Sequence, residues 1–169
     1  MVEIRPLRSK NILPIAAAFE ELDWDKPASQ YERYLVEQDS GRRLVLVATQ
    51  KGVFAGYVTI VWESSYPPFW EAGIPEIVDF NVLPKYRRQG IGTQLIDEAE
   101  RRISEHSSFA GIGVGLTADY GAAHILYIKR GYIPDGHGIS RNGNFCHYGD
   151  QVIVNDDLGI SFTKQLSKH

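Results

Sequence analysis

Apolar and polar residues alternate at the start of the chain, Val2-Glu3-Ile4-Arg5, and this period of two predicts a first strand. The period then lengthens. Ile12, Leu13, Ile15, Ala16 and Phe19 fall at helical spacing within residues 10–23. A second helix is expected after Pro27, with Tyr31, Tyr34 and Leu35 facing inward and a stop at Ser40-Gly41. The unbroken apolar run Leu44-Val45-Leu46-Val47-Ala48 reads as a buried strand, Gln50-Lys51-Gly52 as a hairpin turn, and Val53 to Trp62 as the returning strand. Ser64 to Gly73, rich in proline and aromatics, reads as a loop, and Ile77 to Leu83 as a strand halted by Pro84. A long helix opens at Gly90, with Ile91, Leu95, Ala99 and Ile103 forming one apolar stripe. Ile112-Gly113-Val114-Gly115-Leu116 is a strand whose small residues allow a close approach by backbone or ligand. A helix over about 121–130 ends at Gly131, a residue suited to a left-handed cap. Residues 135–150 read as a loop and Leu158 to Thr163 as the last strand. The order β-α-α-β-β-β-α-β-α-β predicts an α/β chain with a mixed sheet and helices on its faces. Without repeat or linker, a single domain over residues 1–169 is expected.

Composition narrows the function. Eighteen Lys and Arg against 21 Asp and Glu leave a net charge of −3, which argues against general nucleic-acid binding, since that requires a basic surface. The single cysteine, Cys146, cannot form an internal disulfide. The first residues lack the apolar core of a secretory signal, and no apolar run is long enough to span a bilayer. A cytoplasmic protein without membrane contact is expected. The five histidines show no metal-ligand spacing and Cys146-His147 has no evident partners, so no metal is expected.

The most informative stretch runs from Ile77 to Thr93. A hydrophobic strand meets Pro84, then a basic turn, then glycines at 90 and 92 at the head of an amphipathic helix. Unpaired amides and the positive end of the helix dipole converge there, an arrangement that binds anions. Arg87 and Arg88 add permanent charge with a fork geometry suited to phosphate. Neither a P-loop nor the G-x-G-x-x-G dinucleotide fingerprint is present.

Arg87-x-x-Gly90-x-Gly92 after Val82-Leu83-Pro84 resembles the pyrophosphate-binding signature of the GNAT superfamily of acyl-CoA-dependent N-acyltransferases. Leu126-Tyr127-x-x-x-Gly131-Tyr132 is similar to that family's second landmark, so the resemblance covers about residues 44 to 134. It implies a mostly antiparallel central sheet splayed between strands four and five, with acetyl-CoA as co-substrate. The amides of Gln89, Gly90, Ile91, Gly92 and Thr93, with Arg87 and Arg88, would hold the pyrophosphate. The backbone of Phe80 and Val82 would meet the acyl and pantetheine carbonyls. Tyr127 aligns with the tyrosine that serves as general acid in many members, and Glu76 with a glutamate base of some. Asp79 is the rival base, placed on the opposite face by its odd separation from Glu76. The sequence departs from the family at Tyr120, where many members carry an asparagine that touches pantetheine.

The implied reaction is direct acetyl transfer to a primary amine in a ternary complex. A small-molecule acceptor is favoured, because Trp62, Glu63, Tyr66 and Trp70 precede the fourth strand and suit an aromatic pocket that receives a cation. Asp135, His137, Arg141 and His147 are candidates for its other wall. A protein amine as acceptor, a non-catalytic acyl-CoA sensor, and a homodimer stay open.

Overall fold

The computed structural model describes residues 1–167. Its packing forms two compact units, Met1–Trp62 with Val78–Arg101, and Glu63–Ile77 with Arg102 onward. The strand β4 (Glu76–Val82) contributes its first two residues to the second unit and the rest to the first.

In the first unit, β1 (Val2–Pro6), β2 (Arg43–Gln50) and β3 (Val53–Val61) form an antiparallel meander, with β4 beside β3. Helices α1 (Ile12–Glu20) and α2 (Ala28–Asp39) bury Ile15, Phe19, Tyr31 and Tyr34 with Val45, Val47 and Tyr57 of the sheet. Phe19 anchors this core through ring contacts to Trp24, Tyr31, Phe54 and Tyr57. The buried stripe of α1 runs through Ile12, Ile15 and Phe19, and Leu13, off that stripe, is 73% exposed. The helix α4 (Ile91–Ser104), whose last three residues belong to the second unit, buries Ile91, Leu95, Ala99 and Ile103, the stripe its spacing predicts.

In the second unit, β5 (Phe109–Gly115) runs parallel to the start of β4 through Glu76↔Gly111 and Ile77↔Ile112, and antiparallel to β9 (Leu158–Gln165). The short strands β6 (Ile133–Pro134) and β7 (Ser140–Arg141) also join β9, and β7 turns back into β8 (Asn144–Phe145). Two stretches expected as loops therefore contain structure: the β7–β8 hairpin lies within 135–150, and α3 (Pro67–Ala72) within 64–73. The second case follows local rules, since proline at the first helical position already has the backbone angle a helix start needs and gives up no useful N–H. The last helix, α5 (Gly121–Lys129), precedes Gly131, which takes φ +95. The sheet is thus mixed and mostly antiparallel, with one parallel pair between β4 and β5 and helices around it.

Candidate active site

The turn before α4 is built to present amides. Gln94 makes the first intrahelical bond, to the Gly90 carbonyl at 3.0 Å, so the N–H groups of Gly90, Ile91, Gly92 and Thr93 have no acceptor within the helix. Gly90 takes φ +81 with open space around it, and Arg88 takes φ +61. The two glycines have different reasons to be there. A Cβ at Gly90 would meet nothing within 4 Å, whereas one at Gly92 would lie 3.1 Å from the Phe80 ring and 3.6 Å from the Val82 side chain. Gly90 thus supplies the turn and Gly92 lets α4 close on β4. Arg87 donates its Nε–H to the Val82 carbonyl at 3.1 Å, which fixes the base of its side chain and leaves the outer guanidinium nitrogens exposed with Arg88. Gln89 donates to the Lys85 carbonyl at 3.2 Å. Free amides, an open glycine and two arginines suit a pyrophosphate.

Along β4, Asp79 adopts φ +52, a left-handed angle that interrupts the strand's alternation. Its carboxylate accepts five hydrogen bonds: from Lys26 (3.0 Å), Gln30 (3.1 Å), Tyr34 (2.8 Å), Tyr57 (2.6 Å) and Asn81 (2.9 Å). Burial pushes its pKa up, but the Tyr57 hydroxyl, the Lys26 charge and the Tyr34 hydroxyl pull it down further, so it sits below the usual carboxylate range. The phenols of Tyr34 and Tyr57 are held well above their ordinary range by burial and the Asp79 charge, and act as donors. An anion this well satisfied is a structural hub and a poor proton acceptor. The inward tyrosines of α2 were legible in the sequence. Their shared partner was not, although buried phenols require an acceptor and β4 offers two carboxylates, Glu76 and Asp79.

Glu76 has a different setting. Ser64, 3% exposed, donates its hydroxyl to Oε1 of Glu76 and accepts the N–H of Tyr66 at 3.0 Å. Burial raises the Glu76 pKa, and the Ser64 bond offsets only part of that rise. The opposite oxygen, Oε2, would lie 3.6 Å from a Cβ placed on Gly113. Nothing in the sequence pattern singled out Ser64.

Tyr127 on α5 is 6% exposed and packs edge-on to Tyr132. Its hydroxyl has no hydrogen-bond partner among the described residues, yet it is not a fully enclosed polar atom. Burial pushes its pKa up to about 12. The departure at Tyr120 has a structural use, for its ring packs on the bare backbone of Gly115 and its hydroxyl donates to Asp156 at 3.0 Å. A Cβ at Gly115 would approach that ring to 2.4 Å. On the same strand, one at Gly111 would meet the Phe69 ring at 2.4 Å, so of these three glycines only Gly113 faces neither ring.

Of the residues expected to line an acceptor pocket, Trp70 is 64% exposed, Glu63 is exposed and Trp62 half-buried. Tyr66 is buried and donates its hydroxyl to Asp135 at 2.6 Å, and Asp135 also accepts the His137 N–H at 3.0 Å. Tyr66 and Asp135 are thus brought together. Arg141 and Cys146 line a separate cavity of about 330 Å³ on the β7–β8 hairpin. Among the described residues no three His, Cys, Asp or Glu side chains group as a metal site, and no helix is long and apolar enough to cross a membrane.

The sequence model of the acetyltransferase (GNAT) family matches residues 11–132, most of the chain. The protein belongs to the GNAT acetyltransferase family. Solved structures agree on the fold. A ribosomal-protein-S18-alanine N-acetyltransferase from Escherichia coli is similar at TM-score 0.69 and 16% identity, over 100% of this chain and 96% of the other. A spermidine N-acetyltransferase, the SpeG chimera from Vibrio cholerae and hSSAT, gives TM-score 0.69 at 13% identity, over 97% and 95%. The PaiA N-acetyltransferase from Thermoplasma acidophilum, in complex with coenzyme A, gives TM-score 0.65 at 13% identity, over 98% and 99%. A search of curated proteins finds no match. As a GNAT acetyltransferase the protein is assigned to acyl transfer from an acyl-CoA to an amine.

Proposed function

We propose that this GNAT protein is a single-domain, cytoplasmic N-acetyltransferase that moves an acetyl group from acetyl-CoA to the primary amine of a small molecule. The observation that carries the reading is the row of acceptor-free amides at Gly90–Thr93 that follows the exposed Arg87 and Arg88 in the chain. In this reading they bind the pyrophosphate, and the backbone of Phe80 and Val82 pairs with the pantetheine arm. Acetyl-CoA supplies an electrophilic thioester carbon.

The chain's own residues manage two protons. Glu76, whose carboxyl burial makes more basic, takes a proton from the acceptor as its nitrogen bonds to the carbonyl carbon. Tyr127, a phenol with no partner to release, gives its proton to sulfur as the carbon–sulfur bond breaks. The products are the N-acetyl amine and CoA thiol, after which Glu76 and Tyr127 exchange protons with solvent. The exposed Trp70 and Glu63, with Trp62 and Tyr66, are assigned to the acceptor side.

Calorimetry with free CoA and thiol release over a panel of amines test this. Micromolar CoA binding with turnover of a diamine or polyamine supports it. No heat with CoA or acetyl-CoA defeats it, and turnover only of peptides with a free N-terminus would reassign the acceptor.

A further inference from the structure

The three odd-numbered glycines of β5 divide between packing and openness. Phe69 covers Gly111 and Tyr120 covers Gly115, but Gly113 between them is exposed, and the neighbour a side chain there would meet is Oε2 of Glu76. The two oxygens of that carboxylate are therefore not equivalent. Oε1 is committed to the buried Ser64 hydroxyl, which the Tyr66 amide holds in turn. Oε2 lies beside bare backbone open to solvent.

We propose that Ser64 is a positioning residue that pins Oε1 of Glu76 and so leaves Oε2, above the open backbone of Gly113, as the oxygen that receives the acceptor's proton. This rests on the reading of Glu76 as the base. A carboxylate at a strand head would otherwise rotate about its last bond and offer its oxygens in turn. Ser64 removes that freedom at the cost of some basicity, because a hydrogen bond to the charged form favours that form. Gly113 leaves room for a water or an amine at van der Waals distance from Oε2. The surroundings make Glu76 the group that titrates. β5 carries no ionisable side chain, the neighbouring Tyr66 phenol is tied to Asp135, and Glu63 and Glu71 are exposed.

The test is a pH titration of the glutamate side-chain carboxyls by ¹³C NMR, with Glu76 assigned as the resonance lost in Glu76→Gln. Ser64→Ala should raise the Glu76 midpoint by about one pH unit, and Ser64→Thr should restore the wild-type value. Gly113→Ala, whose methyl makes only ordinary contact, should also raise it by shutting water from Oε2. With the fastest amine among spermidine, putrescine and an alanine-initiated peptide, Gly113→Ala should lower kcat about tenfold or more while leaving KM for acetyl-CoA unchanged. An unmoved midpoint in Ser64→Ala overturns the role of Ser64, and an unmoved midpoint in Gly113→Ala overturns the assignment of Oε2. Should Glu76→Gln keep wild-type kcat while the midpoints move as stated, the base reading fails and the geometry stands.

Discussion

The ammonium of Lys26 lies 3.0 Å from the carboxylate of Asp79, across a sequence separation of 53 residues, and each side chain keeps only about a fifth of its surface exposed. This pair joins the segment between α1 and α2 to the left-handed kink of β4, and the phenols of Tyr34 and Tyr57 share it.

Asp79→Asn should cost about 2–3 kcal/mol in urea unfolding, somewhat less than for a fully buried pair because of the remaining exposure. Asparagine tolerates positive φ, so this variant isolates the charge. Asp79→Ala should cost about 1 kcal/mol more, from backbone strain and from loss of the acceptor oxygen that asparagine keeps. Equal losses in the two variants would show that neither the left-handed angle nor the retained oxygen carries a cost.

The same carboxylate predicts an acid limb of stability. Its folded pKa lies below its unfolded value near 4, so its contribution is complete above that value. The contribution is lost as pH falls toward the folded pKa. Unfolding free energy followed from pH 6 to pH 2 should fall more steeply for the wild type than for Asp79→Asn.

Glu76 has the opposite sign. Its folded pKa is raised, so the neutral carboxyl is favoured and stability is lost as pH climbs from the ordinary glutamate value through the folded one. Glu76→Gln should therefore melt higher than wild type at pH 8 while losing about a hundredfold or more in kcat. A variant both inactive and less stable at pH 8 would contradict the burial argument.

Tyr127→Phe should bind CoA as wild type does and turn over about a hundredfold more slowly. With the phenol near 12, the wild-type rate should show no alkaline fall from this group below pH 11 or so. A fall centred near pH 9 that vanishes in Tyr127→Phe would contradict that value.

The glycines of the turn should separate in their effects. Gly90→Ala adds strain at φ +81 but meets no neighbour, so CoA affinity should drop more than stability does. Gly92→Ala presses on the Phe80 ring at 3.1 Å and should lower the melting temperature as well. Calorimetry and thermal melts on the same preparations distinguish them.

Much of the fold was legible because periodicity reports burial. The stripe Ile91-Leu95-Ala99-Ile103 and the hairpin about Lys51-Gly52 appear where the pattern puts them. The turn was legible because its backbone takes a positive φ at Gly90, and glycine announces such angles. Ser64 and Lys26 were not, because a serine or lysine outside regular structure carries no period, and its partner is fixed by tertiary packing. Asp79 was visible as a carboxylate but not as a hub. Its five donors come from four segments, and no local spacing records that convergence.

The fit of Tyr120 over Gly115 makes the residue allowed at 115 depend on the one at 120. An asparagine at 120 would uncover a stretch of β5 main chain that the aromatic now roofs, and any side chain at 115 would evict the aromatic. The phenol also ties α5's approach to the segment at Asp156. Position 115 can thus gain a side chain only where the aromatic at 120 is given up, so the exchange at 120 and the glycine at 115 belong together.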